Sequence, residues 1–264
     1  RNSLPSGFNY SITGNIATFK NKITELPDNV RSVYGGNGML DDIIGRPRNS
    51  IYGYVADGIF KTQEEVDNSP QQAGKGLGRI RYKDLDGDGR ITQDYDRTWI
   101  GVSDPDFTYG LNLQASYKNV DLALFFHGGD VWDSWIEYSD FWNIQNVNNT
   151  NHLKGVFNAW SPQNPDSNIP ALSTRNTNDE KRTSTYFLKD GSYLKLRTIE
   201  LGYTFPESMV KKAMISRLRA YVSANNVFTI KKWWDSNRFS GPDPEIRDFG
   251  YVIPFTATVG VNIT

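Results

Sequence analysis

The sequence predicts an all-β fold: antiparallel strands arranged as an incomplete arc of a membrane-spanning barrel. Three observations lead there. Six stretches alternate apolar and polar residues with a period of two, aromatic residues stand at strand ends, and the links between stretches are grossly unequal in length. Alternation by itself fits a soluble β-sandwich equally well, because a sandwich also buries one strand face and wets the other. The aromatic ends and the unequal links tilt the reading toward a barrel.

The six strands follow in chain order. Near the start, Phe8, Tyr10, Ile12 and Ile16 alternate with Asn9, Ser11, Thr13 and Asn15. From Phe107 to Tyr117 one side is Phe107, Tyr109, Leu111, Leu113, Ala115 and Tyr117, and the other is Thr108, Gly110, Asn112, Gln114 and Ser116. After a short turn at Lys118-Asn119, the apolar face resumes at Val120, Leu122, Leu124 and Phe126. Ile199, Leu201, Tyr203 and Phe205 form the fourth apolar row, and Leu218, Ala220, Val222 and Ala224 the fifth. Phe255, Ala257, Val259, Val261 and Ile263 form the last.

Short links follow Tyr117 and Phe205, the second spanning roughly 206–216 and opened by Pro206. Long links cover roughly 20–106, 130–190 and 230–251. Six crossings put every short turn on one rim and every long loop on the other, which is how outer-membrane barrels are built: periplasmic turns short, extracellular loops long. This arithmetic requires the apolar piece Ile51–Phe60 to lie within a loop excursion. Six strands cannot close around a wide lumen, so an arc is expected.

Composition sets limits. No stretch among the 264 residues approaches the ~18 apolar residues of a membrane-spanning helix, so any span must be β. The absence of Cys excludes a disulfide scaffold and a thiolate metal site. The net charge of −1 is evenly mixed, and no basic stripe implies nucleic acid. With 13% aromatic and only 38% apolar residues, the chain suits a wet interior and a lipid-facing exterior; richness in Tyr, Trp and Asn also suits a carbohydrate-active sandwich. Arg1-Asn2-Ser3-Leu4-Pro5 has neither an apolar h-region nor a cleavage site, so a start inside a longer protein is expected.

One loop carries metal-type chemistry. Asp84, Asp86 and Asp88 occupy positions one, three and five of an EF-hand-like loop, Gly89 takes the sharp turn at six, and Arg90 offers its backbone carbonyl at seven. Alternate carboxylates converge on one hard cation as the backbone curls, which points to Ca²⁺. Tyr95 replaces the bidentate Glu at twelve, and Asp94 or Asp96 would close the site. No amphipathic helix precedes Asp84, so the expected role is structural: pinning a long loop. Ile91 would anchor it in an apolar contact. The alternative is a solvated Asp/Gly turn without metal.

Four stretches carry a family likeness. They are Tyr54-Val-Ala-Asp-Gly-Ile-Phe, the acidic loop running through Asp96-Arg-Thr and Gly101 to Pro105-Asp-Phe-Thr-Tyr-Gly, Tyr193-Leu-Lys-Leu-Arg-Thr-Ile-Glu-Leu-Gly-Tyr-Thr-Phe-Pro, and Asn225-Asn-Val-Phe-Thr-Ile with the following Asp243-Pro-Glu. In this order they resemble the SusC/RagA family of TonB-linked outer-membrane proteins of Bacteroidetes-type bacteria, over nearly all of the chain. The resemblance implies the C-terminal arc of a 22-stranded barrel around an N-terminal plug that lies outside this chain. It also implies a SusD-like surface lipoprotein, energisation by TonB through the missing region, and import of a large nutrient, an oligosaccharide or oligopeptide. Thr264 departs from the aromatic residue that usually ends an outer-membrane strand, so a further residue is expected.

Candidate contact residues follow. Trp132, Trp135, Tyr138, Phe141 and Trp142 in the loop after Phe126 suit stacking on sugar rings or packing on peptide side chains, against packing within the loop or on a partner lipoprotein. Tyr117, Tyr203, Phe205, Trp233 and Trp234 read as the membrane-interface belt. Lys195 and Arg197 appear on the outward face, where they would meet lipopolysaccharide headgroups. Glu200, Arg219 and Tyr221 face inward, as a paired wall charge or a plug contact. His127 and His152, the two histidines, lie in no metal-binding pattern. No pair of carboxylates stands on a rigid strand as a glycosidase would need, so no catalytic residue is assigned. A transporter is therefore expected, with two alternatives: a soluble calcium-stabilised carbohydrate-binding or carbohydrate-active sandwich module, and a surface adhesin without transport.

Overall fold

The computed structural model describes residues 2–27, 42–130, 134–135, 154–173, 180, 182–231, 243–245 and 253–264. Strand β1 (Asn2–Ser3) turns back onto β2 (Phe8–Ala17). Within the excursion that follows lie β3 (Ser50–Tyr54), β4 (Ala56–Ile59), helix α1 (Gln63–Asn68), β5 (Ile80–Tyr82) and β6 (Arg97–Val102). The chain returns through β7 (Phe107–Tyr117) and β8 (Val120–Asp130), and a second excursion holds β9 (Ser134–Trp135) and β10 (Leu188–Lys189). Then come β11 (Tyr193–Thr204), helix α2 (Glu207–Val210), β12 (Leu218–Lys231) and β13 (Thr256–Ile263).

One antiparallel sheet runs in the order β1-β2-β7-β8-β11-β12-β13. Its six long members are the six alternating stretches. A strand of 11 residues is about 36 Å long at ~3.3 Å per residue, and tilted by about 40° it crosses roughly 28 Å, enough for an apolar band about 25 Å tall. Tyr117 pairs with Val120 across a two-residue turn in which Lys118 takes φ 52°, the left-handed geometry that tight hairpins demand. Pro206 opens the other short link, α2 continues into a 3₁₀ turn at Lys211–Ala213, and Met214 ends it at φ 57°.

Register decides what each face is. Ile12, Leu113, Leu124 and Ile199 lie side by side across four strands, as do Ala115, Leu122, Leu201, Val222 and Val259. A sandwich would seal these rows against a second sheet. Instead Leu201 is 52% and Val259 79% exposed, and Leu113 and Leu122 stay half-exposed. The greasy side of the sheet faces outward.

The opposite face is polar. Arg219 donates to Asp121 from Nε (3.0 Å) and Nη2 (2.5 Å) and to Glu200 from Nη2 (2.7 Å), with its guanidinium 5.3 Å above the Tyr221 ring. Asp121 of β8, Glu200 of β11 and Arg219 of β12 are therefore paired with each other.

The long links carry a packed unit of their own. Ile51–Phe60 does lie within the first excursion, where β3 pairs with β6 and β4 with β5. Tyr54, Ile80, Tyr82, Ala159, Ile169, Tyr186 and Phe187 form its buried core, so two excursions far apart in sequence fold into one body. Thr62 caps α1 by accepting from the Glu65 N–H, and Glu65 reaches back to the Lys61 N–H. Gln72 acts as a surrogate strand beside β5: its amide donates to the Ile80 carbonyl (2.7 Å) and its oxygen accepts from the Tyr82 N–H (3.1 Å). The Ile80 N–H goes to Glu180, whose other oxygen meets Arg79 at 3.3 Å. Gly78 is required where it stands: φ is +71°, and a Cβ there would strike the Trp160 ring and Ala171.

Candidate functional site

The acidic loop is built as the spacing predicts. The carboxylates of Asp84, Asp86 and Asp88 lie within 4.8 Å of one another. Asp84 accepts from the N–H groups of Gly87 (2.7 Å) and Gly89 (2.8 Å), which curls the backbone, and Gly89 sits at φ +84° where a side chain would be strained. Desolvation acts upward on the Asp84 carboxyl, but these N–H bonds outweigh it and hold it below the usual range. For Asp86 the Asp88 N–H pulls downward, while desolvation, the Asp84 side chain and the charges of Asp88 and Asp96 push it above. Crowded acids of this kind are what a bound cation relieves.

Asp96 does a different job from the exposed Asp94. It is fully buried, accepting from the Leu85 N–H (2.8 Å) on one oxygen and from Thr92 N–H (2.6 Å) and Oγ1 (3.1 Å) on the other. It closes the loop by hydrogen bonds. Gln71 pairs with the loop's far side, donating to the Gly89 carbonyl and accepting from the Ile91 N–H, and Ile91 packs against the subdomain core. The loop is thus pinned to a folded body.

A second constellation stands on the inner wall at the long-loop rim. Lys195 is 1% exposed and donates to both Asp243 oxygens (2.6 and 2.8 Å) and to Glu245 Oε2 (2.5 Å). Arg197 reaches the same Oε2 at 3.2 Å, while the Tyr193 hydroxyl and His127 Nδ1 each stand 3.3 Å from Oε1. This corrects the outward placement of Lys195. The pairing shifts by one residue between Leu196 and Thr198, a β-bulge at Arg197. One extra residue inverts the faces. Ile199 and Leu201 point outward below the bulge, so Leu194 and Leu196 point outward above it, and Lys195 turns into the lumen opposite His127.

No protein-family model matches the chain. Among curated proteins, TonB-dependent receptor P3 of Formosa agariphila is 32% identical over 256 residues, covering 93% of this chain and 24% of that protein. The chain belongs to the SusC/RagA-type TonB-dependent receptors. TonB-dependent receptor SusC of Bacteroides thetaiotaomicron is 26% identical over 247 residues, 91% of this chain and 22% of its own. Two solved structures share the fold of this receptor segment. The RagAB peptide transporter matches with a TM-score of 0.64 at 23% identity, over 90% of this chain and 25% of that one. The RagAB peptide importer in its open-open state matches with a TM-score of 0.67 at 21% identity, over 99% and 27%. The segment spans about a quarter of the length of the curated relatives it matches. A receptor of this type resides in the outer membrane, and its strands are the transmembrane elements.

Of the aromatics expected at the membrane interface, Tyr117 and Tyr203 are exposed on the outward face, and Phe205 packs edge-on against Tyr203 with ring centroids 5.1 Å apart. Phe8, paired with Tyr117, and Tyr10 add to this row at the short-turn rim. The backbone of Trp135 pairs with Leu188 in the β9–β10 ladder. Trp132, Tyr138, Phe141, Trp142, Trp233 and Trp234 lie outside the described residues. Sequence reasoning missed the rim cluster, although Leu194 and Leu196 being even-numbered and Ile199, Leu201 and Tyr203 odd-numbered already marks the bulge.

Proposed function

We propose that this segment forms part of the wall and the extracellular crown of an importer that carries a large nutrient, oligosaccharide or oligopeptide, through the outer membrane. The carrying observation is a sheet whose apolar face is exposed while its opposite face bears paired charges, as expected of a wall between lipid and a watery bore. Kinship to TonB-dependent receptors and the shared fold with a peptide transporter support the same reading. The whole barrel would count 22 strands around a plug, take force from TonB through regions outside this segment, and work with a SusD-like lipoprotein at the long-loop rim. Import then rests on differential binding between states of the receptor. The aromatics Trp132, Trp135, Tyr138, Phe141 and Trp142 are proposed to meet nutrient or lipoprotein. Tyr117, Tyr203, Phe205, Trp233 and Trp234 are proposed to form the interfacial belt against lipid and lipopolysaccharide.

The acidic loop is proposed to hold one structural Ca²⁺ through Asp84, Asp86, Asp88 and the Arg90 carbonyl, with Asp94 as the nearby exposed acid. Three carboxylates converging within 4.8 Å of one another fit a hard, oxygen-loving cation.

The test of import is a deletion strain grown on a panel of glycans and oligopeptides. Growth should be lost on one polymer class, and be restored by the intact receptor gene but not by one lacking the TonB-contacting segment. Normal growth of the deletion strain on every polymer, with the receptor present in the outer membrane of the parent, refutes the reading.

A further inference from the structure

The charged strand residues of the rim cluster, Lys195, Arg197 and Lys231, are all cations, and the His127 ring stands beside them. His127 comes from β8, Lys195 and Arg197 from β11, and Lys231, which faces the same side opposite Tyr193, from β12. The two acids that bond Lys195 and Arg197, Asp243 and Glu245, come from outside the strands, on a turn in which the Glu245 N–H donates to Asp243 Oδ1 at 2.9 Å. The lower cluster is organised differently: Arg219, Asp121 and Glu200 are all strand residues, and there cation and acids pair within the wall itself. At the rim the strand residues are cationic, and a turn outside the strands supplies the anions.

The coordination of Glu245 is that of a carboxylate-binding site. Lys195 and Arg197 approach one oxygen, and the Tyr193 hydroxyl and His127 the other, so four groups surround one carboxylate. Charge-assisted bonds of this sort are the strong class, and removing the anion would leave Lys195 buried and uncompensated. Arg197 and His127 keep about a third of their side chains exposed, at 32% and 31%, so solutes reach the outer edge of the site while Lys195 stays buried at its centre.

The geometry points to a self-occupied carboxylate site on the lumen wall, in which Asp243 and Glu245 stand in for the carboxylates of an anionic nutrient that displaces them. This rests on the import reading and names a substrate class for it: polymers with carboxylates on successive units, whether acidic oligopeptides or uronic-acid oligosaccharides. The tethered turn competes at an effective concentration on the order of millimolar or more, so a single carboxylate is held off and a multivalent ligand is favoured. The site selects by charge density.

The test uses the full-length receptor in detergent, with titration calorimetry against hexaglutamate, a six-unit oligogalacturonate and a neutral hexapeptide. Asp243→Asn/Glu245→Gln removes the competing charges and should tighten binding of the carboxylate polymer by at least about tenfold, roughly 1.4 kcal/mol. Arg197→Gln and Tyr193→Phe alter half-exposed groups and should each weaken it, while the neutral hexapeptide responds to none of these. Whichever polymer binds identifies the carboxylate source. Unchanged affinity in the double variant overturns the proposal, as does absence of binding to both polymers by a receptor whose melting profile is intact. TonB-dependent uptake of a neutral nutrient by a receptor that ignores both polymers overturns this proposal alone and leaves the import reading standing.

Discussion

Replacing Asp96 by Ala is expected to unpin the acidic loop. The carboxylate is fully buried and accepts three hydrogen bonds, two from backbone N–H groups and one from the Thr92 hydroxyl. Bonds to a charged acceptor contribute about 1.5–3 kcal/mol each, and a buried N–H left without an acceptor costs about 1–3 kcal/mol. The three bonds share one acceptor group and do not add, so we take about 3 kcal/mol for the local opening of the loop, a factor of roughly 150 in the open population. Lys83, Arg90 and Arg97 flank and divide the loop, which makes trypsin a natural probe. When reclosing is fast, native-state cleavage tracks the open population, so tryptic cleavage at Arg90 should accelerate about 100-fold in Asp96→Ala. Asp96→Asn keeps one acceptor oxygen but sets an amide donor against a Thr92 donor, and should fall between. An Asp96→Ala receptor cut at Arg90 no faster than wild type would refute the assignment of Asp96 as the closure of this loop.

Three further outcomes are expected. Chelation should speed cleavage at Arg90 and added Ca²⁺, more than Mg²⁺, should restore resistance; equal rates throughout would leave the acidic loop a metal-free turn. Burial pushes the Glu180 carboxyl up to about 7 despite the opposing charge of Arg79. Because this folded-state value lies above the ordinary carboxyl value of 4.5, the favourable contribution is complete below 4.5 and is lost as pH rises through about 7, worth about 3 kcal/mol. Protease resistance of the crown should thus decline between pH 5 and about 7 in wild type and flatten in Glu180→Gln; parallel profiles would exclude Glu180 as the cause. Gly78→Val combines a left-handed backbone with collision against Trp160 and Ala171, and should destabilise the crown by about 3 kcal/mol or more, read as faster cleavage there with the barrel's heat resistance unchanged.

The six wall strands were legible in the sequence because period two is imposed on every residue by a sheet with unlike faces, and the register rows from Ile12 to Val259 realise it. The acidic loop was legible for a similar reason, since its spacing is local and Asp84, Gly87 and Gly89 need only each other to curl. The crown's core was not. Tyr54, Ile80 and Tyr82 meet Ala159, Ile169, Tyr186 and Phe187 across roughly a hundred residues of chain, and nothing in either stretch names the other. Gln72 is equally opaque: a buried amide completing the β5 ladder looks like any surface Gln until the strand it serves is in place. Asp96 and Asp94 differ by two positions and by nothing a spacing rule weighs, yet one is buried in three hydrogen bonds and the other exposed.

The bulge at Arg197 shows how one residue moves a charge between solvents. Without it, the register that places Leu201 outward would carry Leu194 and Leu196 into the lumen and Lys195 to the lipid side. A lipid-facing Lys costs about 2–4 kcal/mol at the bilayer midplane but about 0–1 near the interface, and Lys195 lies near the rim. Avoiding that cost is therefore a weak reason for the bulge. The stronger reason is on the inner face, where Lys195 lands beside His127 and Tyr193 and closes on Asp243 and Glu245. β12 carries a matching irregularity at Asn226, φ 54°, which adds residues at the same level and keeps Phe228 and Ile230 outward. Two neighbouring strands thus leave the regular ladder at one height and resume it with their apolar rows intact. The deformation is spent on aiming cations inward, which is where a wall that only had to exclude lipid would have had no use for them.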